Sequence, residues 1–363
     1  MKNDTLLELQ DIVHTISSHT RVSSSKGIEE ARRVIRKFLK KMGLPFIEEG
    51  FSVEKNLPIE GKVEASGKWV KAYPFVGCVW GEREGEVVGE NEDVKGKIAL
   101  VEVGRRRETD SVRELKERGC IGAIFYLDEL ISPYIGNVSE EPFMAVSVDR
   151  ETAKALLGAR VKLKAKVRRE NVRGKNLYFD IGKGPFMYII AHLDTKPFVK
   201  GALDNAVAVS ILLLLARELK DSYHYPYRLR FLFTDGEELG LEGAKHHVRN
   251  LKYTEYVINV DSIGWSNPAV IYKDARGYNG ERIMEKFYKH LKEIKIDIPF
   301  REGRRGLSDH VPFKEKGVQT LFLSSNPFTL RHTFYDTYEA IDWGSVEMWF
   351  DVILSFIRRF PKL

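Results

Sequence analysis

A run of apolar residues leads directly into polar ones in the stretch FMYIIAHLDT, residues 186–195. An apolar run of this length, residues 186–191, is typical of a strand that is buried on both faces. The polar residues His192 and Asp194 follow two positions apart, so in extended chain their side chains point to the same face. Alone, such a pair is weak support for a functional site, because it is also common at ordinary strand ends.

The sequence after this stretch alternates between predicted helices and predicted strands. Apolar strands that are separated by helices indicate a mostly parallel sheet covered by helices on both faces, so the predicted fold class is α/β. Two amphipathic helices are also predicted within the first 45 residues. The strands are expected at 186–191, 228–234, 256–261 and 318–323, and the helices at 205–219, 240–250, 280–294 and 343–359.

The pattern changes between Phe51 and Val167, where short predicted strands are separated by glycine-containing turns. This change indicates an inserted module within a larger domain. We predict a main domain from residues 1–57 and 166–363, and a smaller inserted α/β or β-rich domain from residues 58–165.

The net charge of +6 is spread along the chain. The most basic stretch, VKLKAKVRR at residues 161–169, alternates apolar and basic residues, which favours a half-buried strand with its lysines at an exposed sheet edge. No aromatic residue is interleaved with these basic ones, so we expect no nucleic-acid partner. The most apolar run, residues 207–216, is much shorter than the roughly 20 residues that cross a bilayer, so we expect no membrane partner.

Cysteine and glutamine are both rare in this sequence. The two cysteines, Cys78 and Cys120, form no ligand-type pair, and the amphipathic start of the chain contains acidic residues and differs from a signal peptide. These features predict buried thiols and a cytoplasmic protein. Glutamine occurs only at positions 10 and 319, while charged residues make up 30 % of the chain, a bias typical of heat-adapted proteins.

Histidine and carboxylate side chains follow the ends of several predicted strands. In open α/β sheets, ligands bind beyond the carboxyl ends of the strands, so these residues are candidates for a functional site. Each also has an ordinary explanation: Asp204 is placed to cap a helix, and two adjacent glutamates are tolerated on a solvated loop. The candidates are His192, Asp204, Glu237, Glu238, Asp261 and His332.

Together, two histidines and at least three carboxylates form the mixed nitrogen and oxygen ligand set that zinc takes in proteins. Two zinc ions that share one carboxylate need few ligands, and His192, Asp204, Glu238, Asp261 and His332 suffice if Asp204 is the bridge. One glutamate of the adjacent pair then remains free beside the reacting water, where a carboxylate can act as a general base.

The order and local sequence of these residues resemble the family of co-catalytic zinc aminopeptidases related to bacterial leucyl aminopeptidase, glutamate carboxypeptidase and glutaminyl cyclase. The resemblance implies a zinc-exopeptidase-like three-layer sandwich with a mostly parallel mixed sheet, and a protease-associated domain as the inserted module. It is carried by AHLDT (191–195), GALDNA (201–206), DGEELG (235–240), VDSIG (260–264), SDHVPF (308–313) and HTFYDT (332–337).

The resemblance also implies a role for each candidate. One zinc ion would be bound by His192, Asp204 and Asp261, and a second by Asp204, Glu238 and His332. Glu237 would be the general base, and Asp194 would orient the His192 ring through its other nitrogen.

The activity that the resemblance implies is removal of N-terminal residues from peptides. The alternatives are a glutaminyl cyclase with a single zinc ion, a carboxypeptidase of the same family, and a non-catalytic receptor-like binding protein. The basic pair Arg304 and Arg305 keeps selection of a C-terminal carboxylate open. The sequence does not give the oligomeric state.

Overall fold

The chain forms a continuous mixed sheet that passes through two lobes. The computed structural model describes residues 1–104, 106–222, 224, 226–303 and 306–362. We call residues 1–57 and 166–362 the main lobe and residues 58–165 the inserted lobe. The helices are α1 (Asn3–Ser17), α2 (Lys26–Lys41), α3 (Glu108–Glu117), α4 (Arg150–Leu156), α5 (Val207–Leu219), α6 (Glu242–His247), α7 (Glu281–Ile294), α8 (His310–Lys314) and α9 (Trp343–Arg359). The strands are β1 (Ile47–Ala65), β2 (Lys68–Pro74), β3 (Gly81–Gly89), β4 (Ile98–Glu102), β5 (Gly122–Tyr126), β6 (Ala145–Ser147), β7 (Arg160–Gly182), β8 (Phe186–His192), β9 (Arg228–Thr234), β10 (Thr254–Val260), β11 (Pro268–Asp274), β12 (Gly277–Tyr278), β13 (Phe300–Gly303) and β14 (Gln319–Ser325).

The main lobe has a mixed sheet, parallel at its centre, between two helical layers. Strands β9, β8, β10 and β14 are parallel neighbours, while β7 and β11 flank them in antiparallel orientation. Successive strand side chains point to opposite faces. Met187 and Ile189 therefore pack into the core with α1, α2, α5, α7 and α9, whereas Tyr188 and Ile190 pack against residues of α6 and α8. The predicted fold class, a three-layer α/β sandwich with a mixed sheet, is confirmed.

Helix α5 lies in the centre of the larger helical layer. It is apolar around its whole circumference and buried from Val207 to Ala216, as expected for a helix enclosed by other layers. We predicted a start at residue 205, but Asp204 and Asn205 have non-helical backbone angles, and α5 begins at Val207. Within the described part of the chain, no helix has the length and apolar character needed to cross a membrane.

Two long antiparallel strands connect the lobes. Strands β1 and β7 pair from Ile47 to Ala65, and their register shifts between Pro58 and Glu60, next to the predicted domain boundary. Beyond this point the pairing order β1–β2–β6–β5–β4–β3–β7 closes on itself because β7 also pairs with β1. The inserted lobe is therefore a closed β structure with its own apolar clusters, and Cys78 and Cys120 are free and buried in them, as predicted.

The prediction of an exposed sheet edge at residues 161–169 was wrong for residues 161–165. Residues 161–169 do form a half-buried strand, the first part of β7, but over residues 161–165 it pairs with β1 on one side and β3 on the other. Residues 166–169 pair with β1. Lys162 and Lys164 lie on its outer face, where their Nζ atoms are 3.6 and 3.4 Å from the Glu82 carboxylate. Charge pairing with the neighbouring strand, and not protection of an edge, accounts for these lysines.

Candidate metal centre

The carboxyl ends of the parallel strands meet at a cavity of about 780 Å³ between the two lobes. His192 is the last residue of β8, and Asp261 follows β10 directly. Glu237 and Glu238 lie on the turn after β9, and His332 lies on the loop after β14. The structure thus brings together the strand-end residues that the sequence singled out.

The ligand atoms form two groups that share Asp204. In the first triad, His192 Nε2 lies 2.9 Å from Asp204 Oδ1 and 3.4 Å from Asp261 Oδ1. In the second triad, His332 Nε2 lies 3.4 Å from Asp204 Oδ2 and 3.2 Å from Glu238 Oε1. Within each triad all three ligand atoms lie within 4.8 Å of one another, a separation that one ion can span.

The donor set fits zinc. Asp204, Glu238 and Asp261 are all buried, and such closely spaced carboxylates repel one another strongly unless cations lie between them. Asp204 Oδ1 is buried and, among the described residues, receives no hydrogen bond of acceptable geometry. Two imidazole nitrogens and three carboxylates are ligand types that zinc prefers.

Asp194 organises the turn that bears the two glutamates. Its carboxylate oxygens accept hydrogen bonds from the backbone amides of Glu237 (3.1 Å) and Glu238 (3.0 Å). The same carboxylate lies 3.7 Å from His192 Nδ1, while the main-chain oxygen of Asp194 is nearer, at 3.1 Å. Asp194 therefore lies where it contacts both the first triad and the turn of the second.

The adjacent glutamates differ strongly in their pKa values. Burial, reinforced by the neighbouring Glu238 carboxylate, raises the pKa of Glu237 well above its usual range. Burial also acts to raise the pKa of Glu238, but the charges of His332 and Lys196 outweigh it and lower that pKa to about 2. Opposite shifts in neighbouring carboxyl groups are typical of a site in which one acts as a ligand and the other handles protons.

Asp204 is held by two residues that our sequence analysis did not single out. Asp336 accepts hydrogen bonds from the backbone amides of Leu203 (2.7 Å) and Asp204 (3.2 Å), and burial followed by the Asp204 charge raises the pKa of Asp336 to about 7. Buried Arg21 donates to the main-chain oxygens of Leu193 (2.7 Å) and Gly201 (2.8 Å). The HTFYDT motif contains Asp336, but nothing in the sequence connects Arg21 to this loop.

Lys196 is a third residue that the sequence analysis missed. Its Nζ lies 2.6 Å from Glu238 Oε2 and also donates to the main-chain oxygen of Glu238 at 2.8 Å. The ammonium group is buried with its partner, so it neutralises one carboxylate oxygen while the other faces His332. Its position directly after AHLDT was the available signal.

Residues of both lobes line the cavity. The inserted lobe contributes Glu108, Tyr134 and Asn137, and the main lobe contributes Arg331 beside the second triad. Arg304 and Arg305, which we considered for carboxylate selection, lie outside the described residues, although the preceding Gly303 lines the cavity. The site is therefore a cleft with walls from two lobes.

Comparison with known proteins is consistent with this architecture. The sequence profile of peptidase family M28 matches residues 176–357, which is half of the chain. The chain belongs to peptidase family M28. The profile of the PA domain matches residues 65–156, within the inserted lobe. The resemblance stated from the motifs is thus confirmed for both parts of this M28 chain.

Some individual relatives align with most of this chain, and others align with about half of it. Aminopeptidase YwaD of Bacillus subtilis (strain 168) is 26 % identical and aligns with 94 % of this chain and 81 % of its own length. A glutaminyl-peptide cyclotransferase-like protein of Bos taurus is 28 % identical over 51 % of this chain and 59 % of its own. The structure of BSAP, a zinc aminopeptidase from Bacillus subtilis, superimposes with a TM-score of 0.79 at 23 % identity, covering 97 % of this chain and 93 % of that one.

Proposed function

We propose that this M28 peptidase is a zinc-dependent aminopeptidase that uses two zinc ions per chain, with Asp204 as the shared ligand. The observation that carries the proposal is the pair of triads joined at Asp204 with Glu237 beside them. His192 and Asp261 complete one zinc site, and Glu238 and His332 complete the other. The similarity to Aminopeptidase YwaD over 94 % of the chain supports the choice of reaction.

The catalytic roles follow from the environment of each side chain. Zinc, when bound, supplies Lewis acidity for the scissile carbonyl and lowers the pKa of water. Glu237 lines the cavity and accepts a proton from the attacking water, then donates it to the leaving amine as the peptide bond breaks. A raised pKa suits this residue, because a base that takes a proton from water and returns it must hold that proton more firmly than an ordinary carboxylate does.

Three further features complete the proposal. Asp194 positions Glu237 and Glu238 through their backbone amides. The main and inserted domains meet near residues 57–58 and 165–166, a boundary supported by the register shift between Pro58 and Glu60. A cytoplasmic location is supported by the two free, buried cysteines.

The proposal is tested by how the enzyme treats the substrate amino terminus. We expect cleavage of leucyl, phenylalanyl and lysyl amides that carry a free amine, and at least about 100-fold slower cleavage of their N-acetylated forms, because the amine is the group that marks the end of the chain. Release of the amino acid is followed by chromatography. Glu237→Gln is the matched control and should cleave every substrate about 100-fold or more slowly than wild type.

Each alternative gives a different product. A cyclase would release ammonia from an N-terminal glutamine peptide without cutting it, and a carboxypeptidase would release the last residue of an N-blocked peptide. A binding protein would leave every substrate intact. Any of these results, with zinc bound, would replace the aminopeptidase proposal.

A further inference from the structure

A loop of the inserted lobe lies directly against the loop that bears His332. The backbone amide of Ile135 donates to the main-chain oxygen of His332 at 2.8 Å, and Tyr134 forms an isolated antiparallel bridge with Thr333. On the same surface, the backbone amide of Phe334 donates to Ser132 Oγ at 3.2 Å. The backbone around this candidate ligand is therefore fixed by residues about 200 positions away in the sequence.

The side chain of His332 is held from the same direction. Its Nδ1 lies 3.2 Å from the Tyr134 hydroxyl, and that hydroxyl donates to Glu108 Oε1 at 2.9 Å. A tyrosine hydroxyl has one hydrogen, and here that hydrogen is donated in the hydrogen bond to the Glu108 carboxylate. The hydroxyl oxygen must then accept a hydrogen bond, so the network assigns the proton of a neutral His332 ring to Nδ1.

This tautomer is the one that metal binding requires. With the proton on Nδ1, the lone pair of Nε2 points toward Asp204 and Glu238 in the second triad. Metal-bound histidines ordinarily have such a partner on the other ring nitrogen, because it fixes the ring and increases its basicity. For His192 the corresponding contacts of Nδ1 come from Asp194, within the main lobe.

We propose that Tyr134, supported by Glu108, is a positioning residue through which the inserted lobe sets the zinc affinity of the second triad. The inserted lobe is then part of the metal centre and not only a wall of the cleft. Asn137 adds a contact of the same kind, because its Nδ2 donates to the main-chain oxygen of Glu238 at 2.9 Å. The inference rests on the proposed two-zinc centre.

The test is a zinc titration of the metal-free full-length chain by calorimetry with a competing chelator. We expect wild type to bind two zinc ions, and Tyr134→Phe to bind one of them about 10-fold or more weakly with the other unchanged, the scale typical of losing the outer partner of a metal-bound histidine. Glu108→Gln should weaken the same ion by about 3-fold, since a neutral acceptor makes a weaker hydrogen bond.

Tyr335→Phe is the matched control. Its hydroxyl donates to the main-chain oxygen of Ile131 at 3.3 Å, so it lies at the same contact between the lobes but does not touch a ligand. Both zinc affinities should be unchanged in Tyr335→Phe, and the metal-free forms of all variants should be folded under the conditions of the titration. Equal weakening in Tyr335→Phe and Tyr134→Phe would indicate general loosening of the contact and overturn the inference.

Two other outcomes separate the inference from the proposal beneath it. If wild type binds two zinc ions and both Tyr134→Phe and Glu108→Gln bind them with wild-type affinities, the positioning role is wrong while the metal centre stands. If wild type binds no zinc, the metal centre and the positioning role fail together. Glu108→Gln keeps the test decisive should Tyr134→Phe not fold.

Discussion

The two triads are built in different ways although they share Asp204. In the first, His192 ends β8 and Asp261 follows β10, so adjacent strands of the main sheet set their spacing. In the second, Glu238 and His332 lie on loops, and both loops receive hydrogen bonds from the inserted lobe. The side chain of His192 is 1 % exposed, whereas that of His332 is 16 % exposed.

This difference shows which parts of the site depend on which part of the fold. Strand ends within one sheet are fixed by ladder hydrogen bonds and by packing on both faces, so the first triad needs no help from outside the main lobe. Loops have no such ladder and require other contacts to hold their side chains within about 0.5 Å. Lys196 and the inserted lobe supply those contacts for the second triad.

Substitution of Asp204, the proposed shared ligand, should have the largest effect on the two triads. Asp204→Asn keeps the size of the side chain but removes the charge that both triads use, so we expect affinity to fall at both zinc sites. The decrease should be about 100-fold or more at each, because loss of even an outer partner of a ligand costs 10- to 100-fold. Elemental analysis after dialysis against a chelator measures how much zinc the variant retains.

Single-triad variants are the controls for Asp204→Asn. His192→Ala and His332→Ala should each lose one zinc equivalent and retain the other, since each histidine belongs to a single triad. Retention of one tightly bound equivalent in Asp204→Asn would contradict the shared-ligand assignment. One of the two zinc sites would then bind its ion without Asp204.

Loss of Glu237, the proposed general base, should have the next largest effect. Glu237→Gln leaves every proposed ligand in place, so we expect two bound zinc ions and turnover reduced by about 100-fold or more, the range typical for removal of a general base. Steady-state kinetics on a leucyl amide and metal analysis of the same sample measure the two quantities. Loss of zinc with turnover intact would exchange the roles of Glu237 and Glu238.

The sequence predicted the parts of the molecule that depend on local patterns. Alternation of apolar strands with helices identified the parallel sheet, and a polar residue after each strand pointed to the edge where the candidates meet. The long strands β1 and β7 were not recognised as one ribbon, because polar residues alternate along them much as in any exposed strand. Their pairing joins residues that are far apart in sequence, from Ile47 with Tyr178 to Ala65 with Val161.

The residues that support the candidate ligands were harder to predict than the ligands themselves. Tyr134 and His332 are 198 positions apart, and Arg21 is 180 positions from Gly201. Neither tyrosine nor arginine at these positions has a spacing that distinguishes it from a packing residue. Such contacts arise from the docking of one lobe on the other and of α1 and α2 on the sheet, which hydrophobic periodicity alone does not specify.

The smallest expected effect separates the stability of the β1–β7 ribbon from the contact between the inserted lobe and the second triad. Glu49 on β1 accepts a hydrogen bond from Asn176 at 2.9 Å, and its carboxylate lies 2.8 Å from His247 Nδ1 at the end of α6. These contacts tie β1 to β7 and to α6, and none of them is made by a proposed ligand. Burial acts to raise the pKa of Glu49, but His247 and Asn176 outweigh it, so the pKa is lowered.

A lowered carboxyl pKa means that the ionised form stabilises the folded chain. This contribution is present above about pH 4.5, the value for an unfolded glutamate, and it is lost as the pH falls through the lower pKa of the folded state. Glu49→Gln should therefore reduce the free energy of unfolding by about 1 kcal/mol at pH 7, and the difference from wild type should shrink as the pH falls below 4.5. Chemical denaturation at several pH values measures this difference in stability.

Both zinc affinities of Glu49→Gln should stay at wild-type values, because the direct contact through Tyr134 is intact. Selective weakening of the second zinc ion in Glu49→Gln would show that general stability of the ribbon, and not that contact, controls the site.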